Sequence, residues 1–288
     1  MADRPRRARV HPIGRCHLLC PRLPRQGSAD LGSDRPEHRR GHRRGGGGTV
    51  TAPIAVALDA PDPQTLTRWA AAVAGVVSTV KIGLEVYLRD GAPAVGAVRE
   101  AVGPDCGVFL DLKLHDIPAT VGGAARSVQD LRPDYLTVHA AGGPEMINAA
   151  AHALPDTRIT AVTVLTSLGR SDLDRLGMIG ATESVTDVVR RWALIAIDAG
   201  ARALVCSPQE VAALRAVVPA DITLITPGVR PTGADAGDQR RIATPASALA
   251  AGADLLVIGR PITAASNPHA AAESIAQECS DALAKCGE

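Results

Sequence analysis

The 288-residue chain is 46% hydrophobic but only 2% aromatic, so a sizeable core must be packed from Ala, Val, Leu and Ile. Its formal charge of +1 conceals two unequal parts: residues 1–49 hold 12 Arg against four acids (Asp3, Asp30, Asp34, Glu37), which leaves the remainder net acidic with 19 basic and 26 acidic residues. An acidic body argues against nucleic acid as a partner, no run of 18 apolar residues exists to span a membrane, and six cysteines without a Cys-x-x-Cys give no disulfide framework and point to a cytoplasmic setting.

Residues 1–49 are rich in Arg, Pro and Gly, close on Gly45 to Gly48, and show neither helical nor strand period, so a disordered extension is expected. The cluster His17-Leu18-Leu19-Cys20 is far shorter than the apolar core of a secretory signal. A basic tail, a weak metal site from His11, Cys16, His17 and Cys20, and a segment without function are the open readings. The expectation is that the segment is an artefact of a start assigned too far upstream, with translation beginning near Val50 and residues 50–288 forming one domain.

After Thr51 short Val/Ile/Leu runs alternate with Ala-rich amphipathic stretches, the pattern of βα units around a parallel sheet. Strands are expected at 54–58, 79–82, 107–112, 135–138, 159–165, 203–206, 222–225 and 254–258. Helices are expected at 63–76, 93–102, 118–130, 144–153, 184–199, 208–217 and 268–284, with Pro63, Pro93, Pro118, Pro144 and Pro208 marking first turns. Eight such units in about 240 residues predict a single-domain (β/α)8 TIM barrel. A doubly wound sheet is the alternative, but no Gly-x-Gly-x-x-Gly follows the first strand, and Gly122-Gly123 lies within a helical pattern.

The stretch from Phe109 to Pro118 carries the chemistry. Strand alternation puts Leu110, Leu112 and Leu114 on one face and Asp111 and Lys113 on the other. On a sheet with one wet face that is ordinary; enclosed in a barrel, the ions cost several kcal/mol each unless paired. Barrels of this kind place active sites at the C-terminal ends of their strands. There the chain offers Asp59, Lys81, Asp111, Lys113, His139, Thr166, Ser167, Ser207, Pro227-Gly228 and Gly259-Arg260. Asp59, Lys81, Asp111, Lys113 and Asp116 suggest an alternating charge network that keeps both lysines cationic. After the seventh and eighth strands, Thr226-Pro-Gly-Val-Arg230, a Gly/Asp-rich loop to Gln239, and Ile258-Gly-Arg260 suit a phosphate site.

These residues resemble the orotidine 5'-phosphate decarboxylase family over the body from about Ile54 to the C-terminal helix. The most specific part is Asp111-Leu-Lys-Leu-His-Asp-Ile-Pro-Ala-Thr120, similar to the family's Asp-x-Lys-x-x-Asp signature; Thr226 to Arg230, Gly237-Asp-Gln239 and Val257 to Pro261 follow in the family's order. The resemblance implies decarboxylation of orotidine 5'-phosphate to UMP, the last step of de novo pyrimidine synthesis, without cofactor or metal. Lys113 would protonate C6 of the pyrimidine as carbon dioxide leaves, with Asp111 beside the substrate carboxylate. Asp116, Ile117 and Thr120 would reach into the neighbouring subunit's site, which implies a homodimer with shared sites. Asp59 and Lys81 would hold the ribose, Thr166 and Ser167 the pyrimidine, and Arg230, Gln239, Gly259 and Arg260 the 5'-phosphate under a closing loop; His139 would be structural. Two rivals stand beside this: a magnesium-dependent phosphosugar enzyme sharing Asp-x-Lys-x-x-Asp, and an inactive UMP-binding module.

Overall fold

The computed structural model describes residues 51–231 and 243–286, all within one unit, Gly48–Glu288. The disordered extension expected for residues 1–49 and the phosphate contact expected of Gln239 lie outside the described residues.

Eight strands close into a parallel barrel in chain order: β1 (Ala52–Ala57), β2 (Val77–Gly83), β3 (Gly107–Leu114), β4 (Tyr135–His139), β5 (Arg158–Val162), β6 (Ala203–Val205), β7 (Thr223–Thr226) and β8 (Leu255–Ile258). β1 pairs with both β2 and β8, so no edge remains open. All eight strands stand where expected, with one correction of substance. Thr163, Val164 and Leu165 read as the end of the fifth strand, but β5 stops at Val162. The Thr163 hydroxyl turns to donate to the Val205 carbonyl at 2.9 Å.

Among the described residues the helices are α1 (Pro63–Val73), α2 (Leu84–Val102), α3 (Pro118–Ser127), α4 (Pro144–Ala153), α5 (Arg170–Arg175), α6 (Val185–Asp198), α7 (Val211–Arg215), α8 (Pro245–Ala250), α9 (Arg260–Thr263) and α10 (Pro268–Cys286). Pro63, Pro118 and Pro144 do open helices, since a first-turn residue has no N–H to lose. Two proline markers need correction. Pro93 lies inside α2, two residues after a break at Gly91 (φ +62°), so it restarts a helix that began at Leu84. Pro208 opens a turn, and α7 begins only at Val211.

Apolar residues divide into two packings, as an aromatic-poor chain requires. Between strands and helices lies a shell mainly of Ala, Val, Leu and Ile, including Ile54, Leu66, Ile82, Leu136 and Leu204, with Met146 among them. Ala55, Phe109, Tyr135, Ala203, Ile225 and Leu255 form a separate cluster in the barrel lumen, where Phe109 and Tyr135 meet with ring centroids 5.6 Å apart. At the N-terminal ends of the strands one device appears twice. Asp134 before β4 accepts the Val108 N–H at 2.8 Å, and Asp254 before β8 accepts the Leu224 N–H at 2.7 Å. Arg99 and Arg215, from helices outside the sheet, face these carboxylates. This end is fastened by structural ion pairs. No described helix is long and apolar enough to cross a membrane.

Candidate active site

On the face of β3 that carries Phe109, two residues further along, stands Asp111. Lys81 on β2 is buried, and its Nζ lies 3.5 Å from Asp59 Oδ1 and 3.4 Å from Asp111 Oδ2. Lys113 Nζ lies 2.7 Å from Asp111 Oδ1. Asp111 thus stands between two ammonium groups, one on each carboxylate oxygen. Burial by itself raises the Asp111 carboxyl; the charges of Lys81 and Lys113, with hydrogen bonds from Lys113 and Thr137, outweigh it and hold the group below the ordinary aspartate value. The carboxylate is therefore ionised at neutral pH.

The backbone that delivers Lys113 is irregular. β3 and β4 are in register at Leu110–Leu136 and again at Leu114–Val138, so β3 spends two surplus residues between these points. Lys113 takes up the excess with φ at +48°, in the left-handed region. For a residue with a side chain that conformation costs on the order of 1–3 kcal/mol and is retained where the surroundings enforce it. Asp111 and Lys113 do meet, as strand alternation implied, but through this bulge. Leu112 and Leu114 are only half-buried against the core.

The five-membered charge network is four-membered within one chain. Asp116 is exposed, and its Oδ1 accepts only from the following Ile117 N–H at 2.6 Å; among the described residues no ion pair joins it to either lysine. Its surroundings are equally open: Ile117 is 66% exposed, and Thr120 is exposed on the first turn of α3. His139, at the end of β4, stacks on His115 with centroids 5.3 Å apart. Burial, then His115 and Lys113, lower the His139 imidazole below its ordinary value, with Asp111 opposing.

Thr166, half-buried, and Ser167, exposed, occupy the turn after β5, at the same end of the barrel. β7 and β8 are neighbours, so the segments after them emerge side by side. Arg230 is 92% buried by its relative exposure of 8%, and its Nε has no partner among the described residues. Its backbone N–H donates to the Ala243 carbonyl at 2.9 Å and Ala243 N–H to the Gly228 carbonyl at 3.1 Å, which ties the two ends of the 231–242 segment together. Gly259 caps α9, and Arg260, its first residue, is exposed. A buried guanidinium nitrogen without an acceptor suits an anionic ligand, because an isolated buried donor is costly.

Two residues with no role in the sequence reading shape this site. A Cβ on Gly83 would stand 2.9 Å from Asp59 Oδ1 and 3.0 Å from Lys81 Nζ, so any side chain there would displace the pair. Its only signal is the glycine ending Lys81-Ile82-Gly83. Thr137, fully buried on β4, donates to Asp111 Oδ1 at 3.1 Å and accepts from the Lys113 N–H at 2.8 Å. A polar residue inside the apolar run Tyr135 to Val138 was the available hint.

Comparison with known proteins agrees with this geometry. Residues 52–275 match the model of the "Orotidine 5'-phosphate decarboxylase / HUMPS family". An orotidine 5'-phosphate decarboxylase of Thermobifida fusca is 65% identical over 229 residues, covering 80% of this chain and 96% of its own. That of Frankia casuarinae is 52% identical over 240 residues, covering 78% and 86%. Among solved structures, the orotidine 5'-phosphate decarboxylase of Lactobacillus acidophilus aligns with a TM-score of 0.68 at 33% identity, over 79% of this chain and 99% of its own. With a closed barrel, a lysine-flanked aspartate on β3 and a family match spanning nearly the whole described body, the chain belongs to the orotidine 5'-phosphate decarboxylase / HUMPS family.

Proposed function

We propose that the body of the chain, residues 50–288, decarboxylates orotidine 5'-phosphate to UMP and carbon dioxide, with Lys113 as the proton donor. The observation that carries this reading is the row Lys81–Asp111–Lys113, with separations of 3.4 and 2.7 Å. Loss of carbon dioxide from C6 leaves an electron pair on a ring carbon with no adjacent carbonyl to receive it. A fixed ammonium at that carbon stabilises the developing charge and then donates the proton to C6, leaving Lys113 neutral until solvent reprotonates it. Asp111 holds the ammonium and faces the departing carboxylate. Asp59 and Lys81 bind the ribose hydroxyls, and Thr166 faces the pyrimidine.

The phosphate is gripped by Arg230, Gln239, Gly259 and Arg260, remote from the reacting carbon. Its binding energy serves to position the ring and close the loop after β7. The Arg230 Nε, without a partner among the described residues, supports this assignment.

Asp116, Ile117 and Thr120 complete the site of a second copy, so the working unit is a homodimer with shared sites, and its compartment is the cytoplasm. An apolar side chain as exposed as Ile117, beside a signature aspartate without an ionic partner among the described residues, supports that arrangement.

The family also covers enzymes of sugar phosphates. Here the ammonium of Lys81 lies between Asp59 and Asp111, neutralising the carboxylates that a divalent ion would otherwise need, and this favours the nucleotide substrate. The test is a spectrophotometric assay of orotidylate consumption in EDTA. Turnover under chelation is expected; activity confined to a sugar phosphate with added magnesium overturns the proposal. UMP binding without any turnover does so as well.

A further inference from the structure

Between Leu110 and Leu114, strand β3 runs four residues while β4 advances from Leu136 to Val138. With the ladder interrupted, the Lys113 N–H donates to a side chain, Thr137 Oγ1, at 2.8 Å. That hydroxyl donates in turn to Asp111 Oδ1 at 3.1 Å, and the same Oδ1 accepts from Lys113 Nζ at 2.7 Å. A ring closes: lysine backbone, threonine hydroxyl, aspartate carboxylate, lysine ammonium. A hydroxyl has a single proton to give, and here it is committed to Asp111 while a lone pair takes the Lys113 N–H, so its rotation is fixed. Thr137 is fully buried and belongs to the lumen-facing positions of β4.

We infer that Thr137 is a positioning residue for the decarboxylation proposed above, holding the left-handed turn at Lys113 and the carboxylate that aims its ammonium. The inference rests on that reading for its chemistry; the geometry it invokes does not. Two observations make the hydroxyl more than a filler of space. The turn at Lys113 is one that a lysine does not adopt by preference, and Thr137 supplies the acceptor for its N–H. The carboxylate between two ammonium groups uses the Thr137 donor as its only described uncharged side-chain partner.

A space-filling threonine and a positioning threonine predict opposite orders for two substitutions. Thr137→Val keeps the shape and deletes the hydroxyl, leaving a backbone donor and a carboxylate lone pair unmet; Thr137→Ser keeps the hydroxyl and deletes a methyl. If packing is the role, the valine variant is the milder; if positioning, the serine variant is.

The experiment measures kcat and KM for orotidylate across pH, together with hydrogen exchange at the Lys113 amide, in the full chain and both variants. For Thr137→Val, kcat should fall about ten- to hundred-fold, the range that a hydrogen bond to a charged group spans. KM should stay within about twofold, because phosphate and ribose are held from other strands. Its acid limb should move to higher pH, since Asp111 loses a donor to its ionised form, and Lys113 amide exchange should quicken. Thr137→Ser should retain both rate and protection. Should the valine variant not fold, Thr137→Ala, which also lacks the hydroxyl, takes its place. Equal kcat in wild type and Thr137→Val, or equal loss in the serine and valine variants, overturns the inference while leaving the decarboxylase reading intact. An inactive wild type overturns that reading instead, and the exchange comparison still decides whether Thr137 holds Lys113: unchanged protection in Thr137→Val refutes it.

Discussion

Replacing Asp111 by Asn removes one negative charge from between two positive ones and changes little else in shape. At an effective dielectric of about 20, an ion pair at the 2.7 Å of Lys113 is worth about 6 kcal/mol of gross attraction, and one at the 3.4 Å of Lys81 about 5 kcal/mol. Desolvation offsets most of this, and water reaching the partly exposed Lys113 reduces it further. Removing one partner of a buried pair typically costs about 3–5 kcal/mol. If that loss falls on the arrangement that meets the transition state, kcat drops on the order of 10²- to 10⁴-fold. A second measurement separates positioning from mere damage. A carboxylate at C6 placed about 4 Å from Asp111 is repelled by roughly 4 kcal/mol at the same dielectric, and Asn removes that repulsion. How much of it survives binding is what the assay reads. Calorimetric titration should therefore show Asp111→Asn shifting the ratio of orotidylate to UMP affinity toward orotidylate while kcat falls. Wild-type kcat in this variant, or an affinity ratio that does not move, would refute the electrostatic reasoning even if the protein proves to be a decarboxylase. The pH dependence has a definite sign: the Asp111 carboxyl is lowered on folding, so its stabilisation is present above the ordinary value of 3.8 and is lost as pH falls through the folded value. Asn abolishes that contribution, and acid unfolding of the variant should lose it.

Gly83→Ala puts a methyl carbon within 3.0 Å of both Asp59 Oδ1 and Lys81 Nζ; UMP affinity measured by titration should fall about tenfold with little change in melting temperature, and unchanged affinity would show that the pair does not bind the ribose. If the proposed dimer forms, Ile117→Glu should convert it to monomers in sedimentation and reduce activity at least in proportion, whereas a fully active monomer would remove the shared-site proposal. The His139 imidazole is lowered on folding, so between the ordinary 6.5 and the folded value the unfolded chain holds the extra proton and stability falls as pH falls. His139→Asn should therefore flatten urea stability across that window, and an identical pH slope in the variant would assign the effect elsewhere.

The barrel was legible because its strands are runs of Val, Ile, Leu and Ala that must be buried, and the intervals between them admit little but a helix. The short helices α5, α8 and α9 escaped notice because four to six residues carry no usable period. Val164 read as strand because apolarity reports burial, and a buried bend is as apolar as a strand. Asp111 and Lys113 were legible as a pair for a different reason: ions that must be enclosed require partners, and the nearest candidates stand two residues apart. What composition could not reveal is the path between them. A left-handed residue is foreshadowed by glycine, asparagine or aspartate, and Lys113 is none of these. The conformation is imposed from outside, by a neighbouring strand that advances two residues while β3 advances four and by a hydroxyl on that strand that meets the displaced N–H. Asp116 shows the same limit from the other side, since nothing along the chain distinguishes a charge that joins the lysines from one that stands exposed, as Asp116 does. A signature such as Asp-x-Lys-x-x-Asp is thus two kinds of statement at once. Its first two members are fixed by the register of β3 against β4, whereas its third stands exposed beside Ile117, outside that register.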